Sequence, residues 1–163
     1  MKLNRFIRWI PVIVWMTVIF LFSAQNADNS SQTSSLPAEI LARLFYPDFE
    51  QCSETYKNML LDRCQFIIRK LAHFSVYTVL GMLTYNAFRG YEKLSLRLYL
   101  LFSAILCLLY AAGDEFHQSF VPGRSCQLRD VLIDFSGAVF GIALAVLFIK
   151  LLKKLRDKRR LAV

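Results

Sequence analysis

Two apolar runs, Leu98–Ala112 and Val131–Ile149, flank the polar turn Gly113–Arg124, and within them only Asp134 carries a charge. Runs of this kind constrain the fold more than anything else in the chain. A bilayer hydrocarbon core of ~30 Å needs about 20 mostly apolar residues to cross as a helix. Lipid offers backbone N–H and C=O groups no partner, so a run buried there must satisfy its own as a helix. Two further runs, Trp9–Phe22 and Phe66–Phe88, have the same character. The sequence therefore predicts an all-α polytopic membrane protein with four transmembrane helices in a compact bundle. The expected spans are 9–24, 66–88, 98–118 and 130–150, in a single domain covering 1–163 with a basic tail at 151–163. Composition agrees: 56% of the residues are hydrophobic, and the charged 20% are segregated from them, which a soluble fold would not tolerate. The formal charge of +8 would suit nucleic acid, but Lys and Arg sit flush against the apolar runs. There they set topology and meet anionic headgroups, so membrane lipid is the partner implied and nucleic acid is not.

Lys2, Arg5 and Arg8 precede the first run, as in a secretory signal peptide. Cleavage needs small residues at minus one and minus three, and Ala24 or Ala27 would put Phe22 or Gln25 at minus three. The segment is expected to stay as a span, with Pro11 in its first helical turn. Residues 25–65 form the longest polar connection. It opens on a turn-like stretch rich in Ser and Thr (Ser30, Ser31, Thr33, Ser34, Ser35). A short amphipathic helix is expected from Ser35 through Glu39 onward, with Leu36, Ile40, Leu41, Leu44 and Phe45 on one face. Such a helix either lies in the membrane interface or closes on the bundle as a lid.

Four spans put both termini on one side. The N-terminus, the linker 89–97 and the tail after Ile149 hold 13 bases against two acids, Glu92 and Asp157. The remainder holds seven bases and ten acids. The positive-inside rule then puts the termini in the cytoplasm, and the 25–65 connection and the Asp114–Arg124 turn outside. Lys70 and His73 would start the second span, Glu115 and Gln118 end the third, and Asp130 and Asp134 start the fourth. Three distant stretches are thus expected at one depth. Lys70, His73, Tyr77, Gly81 and Thr84 share a helix face, as do Asp130, Asp134, Gly137, Gly141 and Ala145. Gly137-xxx-Gly141 is a small-xxx-small surface that allows close helix contact. Cys52, Cys64 and Cys126 would be external, where a Cys52–Cys64 bridge, a pairing with Cys126 and free thiols all stay open. Cys107 would lie within a span.

Charges at the centre of a span cost roughly 2.5–3.5 kcal/mol each, and less near the interface. Asp114, Glu115, Asp130 and Asp134 therefore need compensation, and Lys70, His73, Arg124 and Arg129 are at hand. Such a cluster could simply tie three helices together. It could equally hold a ligand: Arg124 and Lys70 suit a phosphate or carboxylate, with Glu115, Gln118 and Asp130 orienting them. His73 with Glu115 is the candidate acid–base pair of an enzyme. A divalent cation on His73, Glu115, His117 and one Asp is a weaker option, because His-x-x-x-His spacing is missing. No metal or other cofactor is expected. Ser75, Ser119 and Ser125 have no claim as nucleophiles, and no Gly-x-Ser-x-Gly or nucleotide loop occurs. Transport or proton conduction lacks a polar path through the cytoplasmic halves of the spans.

Several of these blocks resemble the VanZ-like family. They are Lys70-Leu-Ala-His73-Phe-Ser-Val-Tyr77, the turn Asp114-Glu115-Phe-His-Gln118 through Pro122-Gly123-Arg124, and Asp130-Val-Leu-Ile-Asp134-Phe-Ser-Gly137. Trp15 through Phe22-Ser23-Ala24-Gln25 is similar to the family's first span and its Ser/Gln exit. The resemblance runs in order from Trp9 to about Ile149. It implies a small multi-span protein of the bacterial cytoplasmic membrane. The family's founding member is associated with resistance to the glycopeptide antibiotic teicoplanin, although membership does not transfer that resistance. By position, Lys70, His73, Tyr77, Glu115, Gln118, Arg124, Asp130 and Gly137 match the family pattern. Asp134 departs from it, because Asn is more usual there; a protonated Asp134 would restore neutrality. The expectation is an outward-facing polar site, with Tyr77 and Asp134 among its residues, that meets a cell-envelope component. Lipid-linked wall precursors and lipoglycopeptides are the partners that fit. The alternative is an intramembrane enzyme acting on a lipid-linked substrate by acid–base chemistry.

Overall fold

The computed structural model describes residues 2–25, 27–124 and 126–161; Ser125 lies outside them, as do the side chains of 2–4, 27–33 and 159–161. Five helices follow one another: α1 Lys2–Ser23, α2 Ala27–Phe45, α3 Glu54–Phe88, α4 Leu96–Gln118 and α5 Leu128–Leu161. A single 3-10 turn, Phe49–Gln51, joins α2 to α3. The four helices α1, α3, α4 and α5 are long and apolar enough to cross a membrane.

Side-chain contacts fix the direction of each helix. Trp9 packs edge-on against Phe88 at 5.1 Å, and Trp15 Nε1 donates to the Val76 carbonyl at 2.8 Å, so α1 runs antiparallel to α3. Phe102 lies on Phe88 and Tyr110 on Tyr77, which makes α4 antiparallel to α3 as well. By contrast α3 and α5 are parallel: Lys70 faces Asp130, His73 faces Asp134, and Gly141 abuts Thr78. The described ends of α1 and α5 therefore share one end of the bundle, and α2 and the turn after α4 share the other.

Lipid tails are as apolar as Leu, so helices in a membrane are drawn together by close packing and hydrogen bonds and not by water exclusion. The α3–α5 contact shows how. A Cβ added at Gly137, Gly141 or Gly81 would overlap the carbonyl oxygen of Phe74, Thr78 or Ala138 respectively. Only glycine lets the two backbones approach this closely. Across the bundle, Tyr110 Oη donates to the Met16 carbonyl at 2.5 Å and pins α4 to α1. Val12, Ile19, Tyr77, Leu80, Cys107 and Ala138 fill the space between.

Three elements depart from the sequence expectations. The stretch expected to be turn-like is helical from Ala27, and α2 spans 19 residues. It lies antiparallel against the first turns of α3, burying Ser34, Ala38 and Ala42; Ala38 and Ala42 meet Leu60 and Cys64. That face, rich in small residues, escaped notice because the apolar pattern points elsewhere. Leu36, Ile40, Leu44 and Phe45 are all about 70% exposed on the outer side, whereas Leu41 turns in towards α3. α2 thus packs on the bundle through its small residues and keeps its apolar face outward. α3 begins at Glu54, well before its apolar run, because α2 provides packing for Leu60 and Cys64 that lipid would otherwise have to provide. At 35 residues it is about 50 Å long, more than a bilayer core requires. Pro11 sits mid-way along α1 and not in its first turn, because the basic residues ahead of it are helical too. All four cysteines are free thiols, with Cys64 and Cys107 buried.

Gly141→Ala should lower stability by roughly 1–3 kcal/mol, since the added methyl must displace backbone. Gly113→Ala, which meets nothing within 4 Å, should be neutral or slightly stabilising. Heating in detergent with a thiol-reactive dye, in a Cys52→Ser/Cys126→Ser background so that only the buried Cys64 and Cys107 report, measures both.

Candidate functional site

The end of the bundle that carries α2 holds the polar residues singled out in the sequence, and the helix register explains why. The offset that places Gly141 on Thr78 also places Asp130 one turn above Asp134, opposite Lys70 and His73. Lys70 Nζ donates to Asp130 Oδ1 at 2.5 Å, and Phe66 lies beneath both Lys70 and Arg129 in cation–π contact. His73 Nδ1 meets Asp134 Oδ1 at 3.2 Å. The Asp134 carboxyl is fully buried. The sequence had paired His73 with Glu115. Glu115 instead accepts from the backbone N–H of Gln127 at 3.0 Å, tying the end of α4 to the start of α5. The nearer carboxylate lies across the glycine contact, which a helix-by-helix reading cannot reveal.

A second chain of bonds runs through the end of α4. Arg124 Nη1 donates to Gln118 Oε1 at 3.1 Å, and Gln118 Nε2 donates to Asp114 Oδ2 at 3.3 Å. Gln118 thus passes the Arg124 interaction on to a buried carboxylate one helical turn away. Arg124 follows Gly123, whose φ of 76° lets the chain turn back over the helix end. Burial, and after it the neighbouring charge of Arg69, push the Arg124 guanidinium below its ordinary pKa, while Asp114, Glu115 and Asp130 act against that.

These two networks meet at a cavity of about 350 Å³ bounded by α1, α2, α3, α4 and Arg124. Ile19, Phe22, Ile68 and Val76 form an apolar wall, while His73, Asp114, Arg124 and Arg69 supply the charge. Of the residues expected from sequence, His73 and Arg124 line this space. Lys70, Tyr77, Glu115, Gln118, Asp130 and Asp134 do not; they stand behind it and hold the lining in place. Ser23, Gln25, Ser34 and Arg69 belong to the lining and were not singled out. Ser23 and Gln25 close the first apolar run, so a small polar pair at the exit of a span was the available signal. Arg69 lies off the Lys70–Tyr77 stripe and carried none.

Several buried polar atoms around the cavity lack a hydrogen-bond partner among the described residues: Ser23 Oγ, Tyr77 Oη, Asp114 Oδ1, Glu115 Oε1 and Asp134 Oδ2. Ser23, Asp114 and Asp134 are each less than 5% exposed. The Ser23 and Tyr77 hydroxyls lie within electrostatic reach of Asp114 without reaching hydrogen-bond geometry. Buried polar atoms are nearly always paired, so these are the atoms with capacity left for a water or a ligand. The metal option does not fit. No three His, Cys, Asp or Glu side chains come together as ligands among the described residues, and His117 packs its ring on Phe20 at 4.6 Å.

Residues 8–149 match the family model described as VanZ/LLP1. The chain belongs to that family. The match takes in α1 through most of α5 and thus every residue of the site. No curated protein and no solved structure matches the chain significantly. Membership of the VanZ/LLP1 family accounts for the order of the sequence blocks, and it leaves the chemistry of the site to be argued from its geometry.

Proposed function

We propose that this protein sits in the bacterial cytoplasmic membrane with both termini in the cytoplasm. The opposite end of its bundle then holds an amphiphilic cell-envelope molecule by its polar head. The observation that carries this is the two-sided cavity, with the apolar wall of Ile19, Phe22, Ile68 and Val76 facing His73, Asp114 and Arg124. An amphiphile satisfies both halves at once. A bare anion would leave the wall in water, and a plain acyl chain would leave the charges without polar partners. The outer face of α2, with Leu36, Ile40, Leu44 and Phe45 exposed beside the cavity, suits the membrane interface from which such a molecule would enter. Lipid-linked wall precursors and lipoglycopeptides of the teicoplanin type have the required build, and the link to antibiotic resistance rests on the family resemblance. Orientation follows from the 13 bases gathered with the termini and their linker.

A second reading, an enzyme using acid–base chemistry on a lipid-linked substrate, is favoured by one observation. His73 lines the cavity while its Nδ1 is held by a buried carboxylate, Asp134.

The exposed Cys126 should react with a membrane-impermeant maleimide added to intact cells. Labelling that appears only after permeabilisation would reverse the orientation. In purified protein, Arg124→Ala should weaken binding of a lipid-linked wall precursor or of teicoplanin by roughly tenfold or more, the loss of one charge-assisted hydrogen bond. Unchanged affinity for both would contradict the proposed site.

A further inference from the structure

We infer that Ser23 and Asp114 select the head of the bound amphiphile for a hydroxyl group, so that the ligand is a lipid with a glycerol or sugar head. This deepens the amphiphile-binding reading and rests on it. Both residues are buried and both line the cavity, Ser23 from the end of α1 and Asp114 from α4. The ring of Phe20 lies on that of His117 at 4.6 Å and holds the two helices together at this level. Asp114 Oδ2 accepts from Gln118 Nε2, whereas Asp114 Oδ1 and Ser23 Oγ have no hydrogen-bond partner among the described residues. Polar atoms buried in this way are costly to leave unpaired, so whatever occupies this side of the cavity gains by pairing them.

The choice of hydroxyl follows from what each donor can do here. An ammonium pairs with a carboxylate but not with a protonated Asp114, because it has no lone pair with which to accept. It would also share the cavity with the Arg124 guanidinium, which Gln118 already joins to Asp114. A hydroxyl is uncharged and both donates and accepts. It gives its proton to Asp114 or takes one from it, and it pairs with Ser23 in either sense. Water has the same versatility, and a cavity of about 350 Å³ has room for several molecules. Exchanging one of them for a lipid hydroxyl keeps its hydrogen bonds, whereas exchanging it for a methyl group forfeits them. The chain of the same lipid then covers Ile19, Phe22, Ile68 and Val76, which water alone would leave wetted.

The test uses the full chain in nanodiscs of phosphatidylcholine, whose head has no hydroxyl, with retained lipid counted by native mass spectrometry. Dioctanoyl phosphatidylglycerol and dioctanoyl phosphatidylethanol share their chains and phosphate and differ in the hydroxyls of the head. The wild-type protein should retain the glycerol lipid roughly tenfold more than the ethanol lipid, the effect of one or two hydrogen bonds. Ser23→Ala should reduce that preference severalfold, and Asp114→Val should abolish it; a cooperative melting transition in each variant shows that it is folded. Dioctanoyl glucosyl diacylglycerol, with sugar hydroxyls and no phosphate, separates the two sources: tighter retention than the glycerol lipid assigns a sugar head, and weaker retention a glycerol head. Equal retention of the glycerol and ethanol lipids overturns the hydroxyl inference and leaves the amphiphile reading intact. Tighter retention of dioctanoyl phosphatidylethanolamine overturns it in favour of an ammonium head. A preference that survives both Ser23→Ala and Asp114→Val is set elsewhere and overturns it as well. If none of the four lipids is retained the hydroxyl inference is wrong, and binding of wall precursor or teicoplanin decides separately whether the amphiphile reading stands.

Discussion

The rest of this molecule depends on the parallel contact between α3 and α5. Carbonyl oxygens of Phe74 and Thr78 occupy the space a side chain would need at Gly137 and Gly141, so the two helices meet backbone to backbone. A contact of that kind has one register. It carries His73 to Asp134 and Lys70 to Asp130 one and two turns further along, where Coulomb attraction reinforces the packing that aligned them. In a membrane, where apolar surface gives helices little preference for one another over lipid, small residues and polar pairs are what single out one arrangement. Here both lie along a single stripe of each helix, so packing and site geometry share one cause.

Around that contact the polar groups divide into holders and liners. Lys70–Asp130 joins α3 to α5 and Glu115 with the Gln127 N–H joins α4 to the start of α5, while Gln118 links Arg124 to Asp114, one turn earlier in α4. His73 is held by Asp134 and Arg124 by Gln118, and both line the cavity. A cluster that only joins helices is most stable with its buried lone pairs engaged, because an unpaired buried polar atom costs more than a made bond returns. Ser23, Tyr77, Asp114 and Asp134 instead leave atoms unpaired around the cavity.

The four long helices were legible because apolar run length is a direct consequence of bilayer thickness, and nothing else in the chain imitates it. The depth of the site was legible for the same reason: once the spans were placed, the positions of Lys70, Glu115 and Asp130 along them followed. Partnership was not legible. Helical periodicity says which residues share a face, but which face meets which is settled by contacts between helices, and so Glu115 was named for His73 where Asp134 serves. α2 was only half read. Its apolar residues announced an amphipathic helix, yet the face that packs on α3 is built from Ser34, Ala38 and Ala42, whose small size and not their hydrophobicity permits the contact. Ser23 and Gln25 stood out as the polar exit of the first span without being assigned to the site, whereas Arg69, one of two adjacent bases and off the Lys70–Tyr77 stripe, has no distinguishing pattern.

The account stands or falls on whether this cavity holds an amphiphile. Native mass spectrometry of the protein released directly from bacterial membranes addresses that without presupposing the ligand. The wild-type protein should carry a bound adduct whose mass is that of an amphiphilic envelope molecule, and the adduct should be lost when Arg124 is replaced by Ala. A wild-type protein that emerges free of any such adduct, or an Arg124→Ala protein that retains the same adduct in the same amount, would contradict it.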